Sequence, residues 1–389
     1  MEEQVRRKSH RRVRSRNNLN IDYSMLFIIL FLLMFGLVML YSTSSYESSI
    51  KFGDPGYYFR KQAVSTVIGL VAMFFITFID YHLLSRFGFL AYVVSLFLIL
   101  LVLSPLGYEV NGARRWLNLG LSLQPAEVAK LALIIFFAGI VCKMGDRVRT
   151  MKGLMYVLGL AMPHALCVLT ITENLSSAII IASIVLVMLF VATPNYKEYF
   201  LVGLGMIAFA TVVVLLVKYD VLPEGMSFRM GRIKAWLDPS AYASTKGFQT
   251  LQALYAIGSG NIFGKGLGES IQKLGFLPEA QNDMIFSIIC EELGLFGAIS
   301  IMAMFAILIW RLIVIATNAE DMYGAMLVIG VAAHISIQVI LNIAVVTNTI
   351  PNTGISLPFI SYGGSSVVFL LLEIGIALNV SRSMTAEEQ

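Results

Sequence analysis

Charge is what this sequence has least of. Only 13% of its 389 residues are charged, while 58% are hydrophobic. A water-soluble domain carries roughly 25% charged and roughly 45–50% apolar residues, so too few polar side chains are present to cover a soluble fold. Together with a mean hydropathy of +0.79, this marks an integral membrane protein. Cysteine is scarce too: Cys142, Cys167 and Cys290 are an odd number with no CxxC spacing, which excludes a disulfide framework and a thiolate zinc site. The four histidines, His10, His82, His164 and His334, form no HExxH or HxxxH pair, so a histidine metal cluster is not expected. The net charge of +4 owes much to a cluster between Arg6 and Arg16. Basic residues gathered in a tail beside an apolar run are a topology signal, and no nucleic-acid surface is expected.

What the sequence does have is long apolar runs. Ten reach the length of a membrane-spanning helix: roughly 24–43, 62–79, 88–106, 126–142, 154–171, 175–193, 199–217, 284–310, 323–346 and 364–380. The first follows the basic tail without a small-residue cleavage site, so it reads as an uncleaved span. The basic tail (1–23) places the N-terminus in the cytoplasm, and ten crossings return the short tail 381–389 to the same side. The expected fold is an all-α polytopic membrane protein, one ten-helix domain over 24–380 with one long structured outer loop at 218–283. That loop carries Phe228, Trp236, Phe248, Leu251, Tyr255, Ile262, Phe263 and Phe276, at spacings that could bury a face. Gly247–Ile257 reads as a short helix and the glycine-dense Gly258–Gly268 as a turn system.

The glycines do not make a nucleotide loop. Ser259 stands where a Walker pattern needs its first glycine, and Gly266 where it needs Ser or Thr. Tight turns are the plainer reading, with close approach of backbone N–H groups to a lipid-linked phosphate as the alternative. Asp283 stands directly before the apolar run from Met284. It could cap that helix, or it could be a functional acid, since carboxylates at membrane depth face a cavity or partner. Glu291 and Glu292 read as ion-paired structural residues. In Gln124-Pro125-Ala126-Glu127-Val128-Ala129-Lys130, proline at the first helical position and Glu two residues on make a good helix start. Glu127 and Lys130 can pair on one face, either neutralising each other or offering a fixed cation to an anionic leaving group. Arg114 and Arg115 break the charge bias of short outer loops and suit phosphate binding. His334, Gln338 and Asn342 form one polar stripe, for interhelical hydrogen bonds or a polar conduit. The Pro- and Gly-rich 351–366 segment cannot be helical throughout, so it must line a protein or water cavity.

The stretches NGARRW, QPAEVAK, GFQTLQALYAIGSGNIFGKGLG, FLPEAQNDMIFSIICEELGLFG and PNTGISLPFISYGGSS resemble the SEDS (shape, elongation, division and sporulation) proteins, across all ten spans in order. The Ala-Gln-Asn-Asp form at 280–283 is similar to the division and sporulation branch (FtsW- and SpoVE-like), related to the elongation branch (RodA). The resemblance implies a peptidoglycan glycosyltransferase that polymerises lipid II, the undecaprenyl-pyrophosphate-linked disaccharide peptide, at the outer face of the bacterial cytoplasmic membrane. It also implies a class B penicillin-binding protein transpeptidase and other divisome proteins as partners, at the division septum. Carried over by motif, Asp283 matches the family's essential acid, Glu127 and Lys130 its QPxExxK pair, and Arg115 its loop arginine. The chain departs from the family at Glu173-Asn174-Leu175-Ser176-Ser177, where many members have Pro-Asp-Leu-Gly-Thr, so no role is carried to Glu173.

On this reading Asp283 is the catalytic base. Arg114, Arg115, Glu127 and Lys130 bind substrate, with or without a divalent cation (Mg or Mn) on the pyrophosphate. Two alternatives stand beside it: a lipid II flippase, whose marks are inverted repeats and interrupted helices, neither visible in the sequence, and a non-catalytic divisome scaffold.

Overall fold

The computed structural model describes residues 21–110, 112–118, 122–193, 196–219 and 227–384. The basic cluster at 6–16, Asn111, and parts of the outer loop and C-terminal tail lie outside them. Three helices open the described chain: α1 (Tyr23–Phe52), α2 (Tyr57–Phe78) and α3 (His82–Leu101). A small antiparallel sheet follows, β1 (Gly107–Val110), β2 (Ala113–Asn118) and β3 (Ser122–Leu123), in that spatial order. Next come α4 (Pro125–Met144), α5 (Met151–Thr170), α6 (Leu175–Ala192) and α7 (Tyr196–Lys218). The long connection after α7 carries α8 (Ser227–Leu237) and α9 (Phe248–Ser259), and α10 (Ile285–Thr317), α11 (Met322–Val346) and α12 (Gly364–Ser381) complete the described chain. Among the described residues, ten helices are long and apolar enough to cross a membrane, α1–α7 and α10–α12. They match the ten apolar runs one for one.

Local chemistry sets the helix ends. Asp22 caps α1 by accepting from the Met25 N–H at 3.0 Å, and Gly53 closes it with a φ of 68°. This helix outruns its apolar stretch because Thr43, Ser44 and Ser48 are buried against the bundle, not exposed to lipid. Pro125 starts α4 as its sequence suggests. The strands were not foreseen. Ala113–Trp116 lie on a hairpin in which Tyr108 pairs with Trp116, with a register shift after Tyr108. The most enclosed spans are α11 and α12, with 67% of their apolar window buried, against 17% for α3. Around this inner pair the small residues permit close approach: a Cβ on Gly375 of α12 would lie 2.1 Å from Ile76 of α2.

One span is broken. Gly294 interrupts α10 with φ 67° and ψ −164°, a backbone that only glycine adopts readily. A break at membrane depth strands backbone groups that no lipid can satisfy. The glycine-dense segment supplies the partners. Lys265 and Gly266 donate their N–H groups to the Glu291 and Glu292 carbonyls at 3.0 Å each, and Leu295 and Phe296 donate to Asn261 and Ile262 at 2.9 and 3.0 Å. The fit requires missing side chains: a Cβ on Gly260 or Gly264 would lie 1.9 or 2.1 Å from the Cys290 or Glu292 carbonyl oxygen. Gly260–Gly266 is thus a backbone splint for α10, and an interrupted helix, invisible in the apolar pattern, is present.

The expected buried aromatic face of the outer loop is not found. Tyr255, Ile262, Phe263 and Phe276 are exposed, Phe263 at 80%. The buried residues of α9 are Thr250, Ala253 and Ala256, because the closely packed broken helix α10 leaves room only for small side chains. Trp236 does hold the loop down, its indole N–H donating to the Asn348 carbonyl at 3.0 Å. The side chain of Phe228 lies outside the described set.

Candidate active site

Asp283 lies in the turn before α10, where the cap position is Met284 and no side chain caps the helix. Asp283 is therefore not the cap residue, and its carboxyl draws on the neighbouring Asp283 and Met284 backbone N–H groups. It is 9% exposed. Burial, with Glu279 nearby as a second negative charge, raises its pKa to about 7, and Arg232 partly offsets the rise. A carboxylate with that pKa can both accept and release a proton at neutral pH. Gln249 of α9 donates to its Oδ1 at 3.5 Å and to the Pro278 carbonyl at 3.2 Å.

The non-helical 351–363 segment forms the wall that the sequence suggested, fastened to the Asp283 turn along its length. Asn352 donates to Gln249 at 2.8 Å. Asn342 of α11 donates to the Asp283 carbonyl at 2.8 Å and to the Ile355 carbonyl at 2.6 Å. Ser361 donates to the Asn282 carbonyl at 2.6 Å, and the Tyr362 N–H to the Gln281 carbonyl at 2.9 Å. Beside this wall opens a cavity of about 280 Å³, lined in part by Arg232, Trp236, Lys246, Phe248 and Asn352. Two basic side chains and two aromatics at its rim suit an anionic, sugar-bearing ligand.

Glu127 and Lys130 pair at 2.8 Å with 7% and 2% of their side chains exposed. Ser366 of α12 donates to Glu127 at 3.2 Å. The pair belongs to a larger buried set, since His334 of α11 lies close enough for its charge to act on Glu127 and bonds Glu373 of α12 at 2.8 Å. Glu373 was missed by the sequence reading, because no local spacing joins residues on α11 and α12.

The two arginines part company. Adjacent residues on a strand point to opposite faces. Arg114 is exposed and folds back to donate to the Gly107 carbonyl at 2.9 Å. Arg115 donates to the Thr172 and Glu173 carbonyls at 3.0 and 3.1 Å, and burial with the neighbouring Arg232 charge lowers its pKa. The Arg232 charge thus acts on both Asp283 and Arg115, and Arg114 stays on the hairpin. Arg232 had no sequence signal beyond its place in the long loop. At the family departure, Glu173 adopts φ 49° and offers Arg115 its carbonyl, while Asn174 caps α6 by accepting from the Ser177 N–H.

Among the described residues no three His, Cys, Asp or Glu side chains converge as a metal cage.

The sequence model of the cell cycle protein family FtsW/RodA/SpoVE matches residues 23–386. Stage V sporulation protein E of Bacillus subtilis is 39% identical over 93% of this chain and 97% of its own length. A probable peptidoglycan glycosyltransferase FtsW of Trichlorobacter lovleyi is 39% identical over 93% of each chain. Among solved structures, one of a peptidoglycan synthase complex that coordinates polymerisation and crosslinking matches with a TM-score of 0.75 and 27% identity, over 93% of this chain and 98% of that one. The rod shape determining protein RodA of Thermus thermophilus matches with a TM-score of 0.67 and 26% identity, over 94% of this chain and 97% of that one.

Proposed function

Because the chain belongs to the FtsW/RodA/SpoVE family of cell cycle proteins, we propose that it is a peptidoglycan glycosyltransferase that polymerises lipid II into β-1,4 glycan strands. The reaction takes place at the outer face of the cytoplasmic membrane, in septal wall synthesis during cell division. The observation that carries the reading is the buried Asp283, its pKa near neutrality, bonded by Gln249, which lines the neighbouring basic cavity.

The donor sugar already carries pyrophosphate, so it needs charge stabilisation more than an acid. The acceptor hydroxyl needs a base, and Asp283 takes its proton as the oxygen attacks the anomeric carbon, an effect worth about 10²–10⁴-fold. The C–O bond to phosphate breaks and its electron pair leaves on the pyrophosphate, which Lys130, Arg115 and Arg232 stabilise. One base with several cations fits a single displacement, which inverts an α-linked donor to a β linkage. Glu127 holds the Lys130 ammonium in place. Arg114, turned to its own hairpin, has the weakest claim on substrate.

The partner is a class B penicillin-binding protein that crosslinks the new strands, as polymerisation and crosslinking are coordinated in the matched synthase complex. Both termini lie in the cytoplasm, from the Lys and Arg bias of the short loops. The interrupted α10 is a feature that a flippase would share, but the splint fills that break with protein backbone and leaves no room there for a transported group.

The test is polymerisation of purified lipid II by the full chain with its transpeptidase, beside Asp283→Asn. Long strands from wild type but not from the variant are expected. Strands from both would remove Asp283 as the base, and strands from neither would move the reading to flippase or scaffold.

A further inference from the structure

The polar stripe of α11 begins at the Asp283 turn and runs to mid-membrane. Its rungs, Asn342, Gln338 and His334, are each 2% exposed or less, and four helical residues separate successive rungs by about 6 Å. Each rung is anchored through one polar atom. Asn342 donates to the Asp283 and Ile355 carbonyls, Gln338 to the Ser356 carbonyl at 3.0 Å, and His334 Nδ1 meets Glu373 at 2.8 Å. The other polar atom of each rung is buried without a partner among the described residues: Asn342 Oδ1, Gln338 Oε1 and His334 Nε2. Such atoms in native interiors are bridged by ordered water. Three on one helix face, at every fourth residue, offer such water successive partners.

We propose that this stripe carries the proton captured by Asp283 inward through water to the His334–Glu373 pair, which serves as its temporary acceptor. The proposal rests on the polymerase reading above. In the step itself the acceptor hydroxyl proton passes to the Asp283 carboxylate and then from water to water along Gln338. His334 takes it at Nε2 while sharing its Nδ1 proton with Glu373. The pair goes from one net negative charge to neutral, Asp283 is again a carboxylate, and the proton returns outward after product leaves.

The surroundings suit the pair to this task. A buried carboxylate must be paired or protonated, and Glu373 meets His334 Nδ1 through both of its oxygens. From α4, Glu127 and Lys130 face the pair as a neutralised couple. Helix α6, which also packs on α11, has no titratable side chain along its length. On α10, Glu291 and Glu292 are turned to Lys265 and Lys273, and Cys290 is buried. Arg311, further along α10, is paired with Asp22, and Asp283, whose backbone carbonyl receives Asn342, is the acid at the head of the stripe.

The experiment measures lipid II polymerisation by the full chain with its transpeptidase, for wild type, Glu373→Gln, His334→Gln and Gln338→Leu, across pH and buffer concentration, with thermal unfolding in parallel. Each variant is expected to lose about tenfold in kcat at acid pH with KM unchanged. The loss should shrink at alkaline pH and on adding imidazole buffer, because bulk base can then strip Asp283 directly. Gln338→Leu removes a rung without touching the charged pair, so it carries the test if a charge variant fails to fold. Variants equal to wild type at every pH would overturn the relay alone. A uniform loss without buffer rescue, or a fall in unfolding temperature with an unchanged pH profile, would assign the pair a structural role and overturn it as well. Wild type without strands would overturn the polymerase reading and the relay together.

Discussion

Two buried carboxylate regions lie side by side in this bundle, and they are built in opposite ways. Around the break in α10, Glu291 receives Lys265 at 2.6 Å, Ser270 at 2.5 Å and the N–H groups of Ile271 and Gln272. Glu292 receives Lys273 and Ser42, each at 2.7 Å. On the α11 side, Asp283 has one long side-chain contact, and the rungs below it keep unpartnered atoms. A fully satisfied buried network rigidifies a fold, whereas an under-satisfied one marks a place where water or ligand must enter. The difference fits architecture for the two glutamates and the proposed chemistry for the aspartate, although all three stand within nine residues of one another in the sequence.

The comparison breaks most sharply at Asp283. Asp283→Asn should abolish strand synthesis, a loss of about 10²-fold or more, while raising the unfolding temperature at alkaline pH. The sign follows from its raised pKa of about 7. Between the ordinary carboxyl range and pH 7 the folded state binds the extra proton, so this group's stability contribution is present at acid pH and lost as pH rises through 7. The amide variant removes that loss. A pH–rate profile of the wild type should correspondingly fall below pH 7. Calorimetry beside the polymerisation assay checks both, and a less stable amide variant would count against the assignment.

Lys130→Ala comes next. It leaves the Glu127 carboxylate buried without its cation, at a cost of about 3–5 kcal/mol, and should remove activity with stability. Gly264→Ala sharpens the contrast from the other region. It should lower stability by about 1–3 kcal/mol through the clash with the Glu292 carbonyl, while polymerisation per folded molecule stays within about twofold, since the splint touches no reacting group. A selective loss of kcat in that variant would place the break in the reaction. The smallest effect is expected at Arg114→Ala, within about twofold of wild type, against about tenfold for Arg115→Ala. Equal losses would restore Arg114 to the site.

Long-range partnerships divide what the sequence reveals from what it conceals. The ten spans were legible because apolar length is a local property, and the α4 start was legible because Pro125 and Glu127 obey first-turn chemistry. The Glu127–Lys130 pair was legible from i, i+3 spacing. The ion pairs of Glu291 and Glu292 followed from the cost of burying charge, but their lysines did not. The sheet at 107–123 escaped because its strands are too short to show alternation. Gly294 looked like one more small residue in an apolar run, since its repair comes from a segment about thirty residues upstream. His334 with Glu373, and Arg232 with Asp283, needed the bundle itself to bring them together. The exposed Phe263 went the other way, because aromatic content says nothing about whether a neighbour has room to cover it.

The splint also fixes an order of events. Chains emerge from the ribosome N-terminus first, so Gly260–Gly266 is made before the helix it mends. Helix α10 carries its own flaw into the membrane only after the backbone groups that answer it have been made. Suppose a rearrangement of the gene moved this loop behind α10 and the finished fold still kept the splint. It would still leave the nascent helix, at the moment of insertion, with broken hydrogen bonds facing lipid.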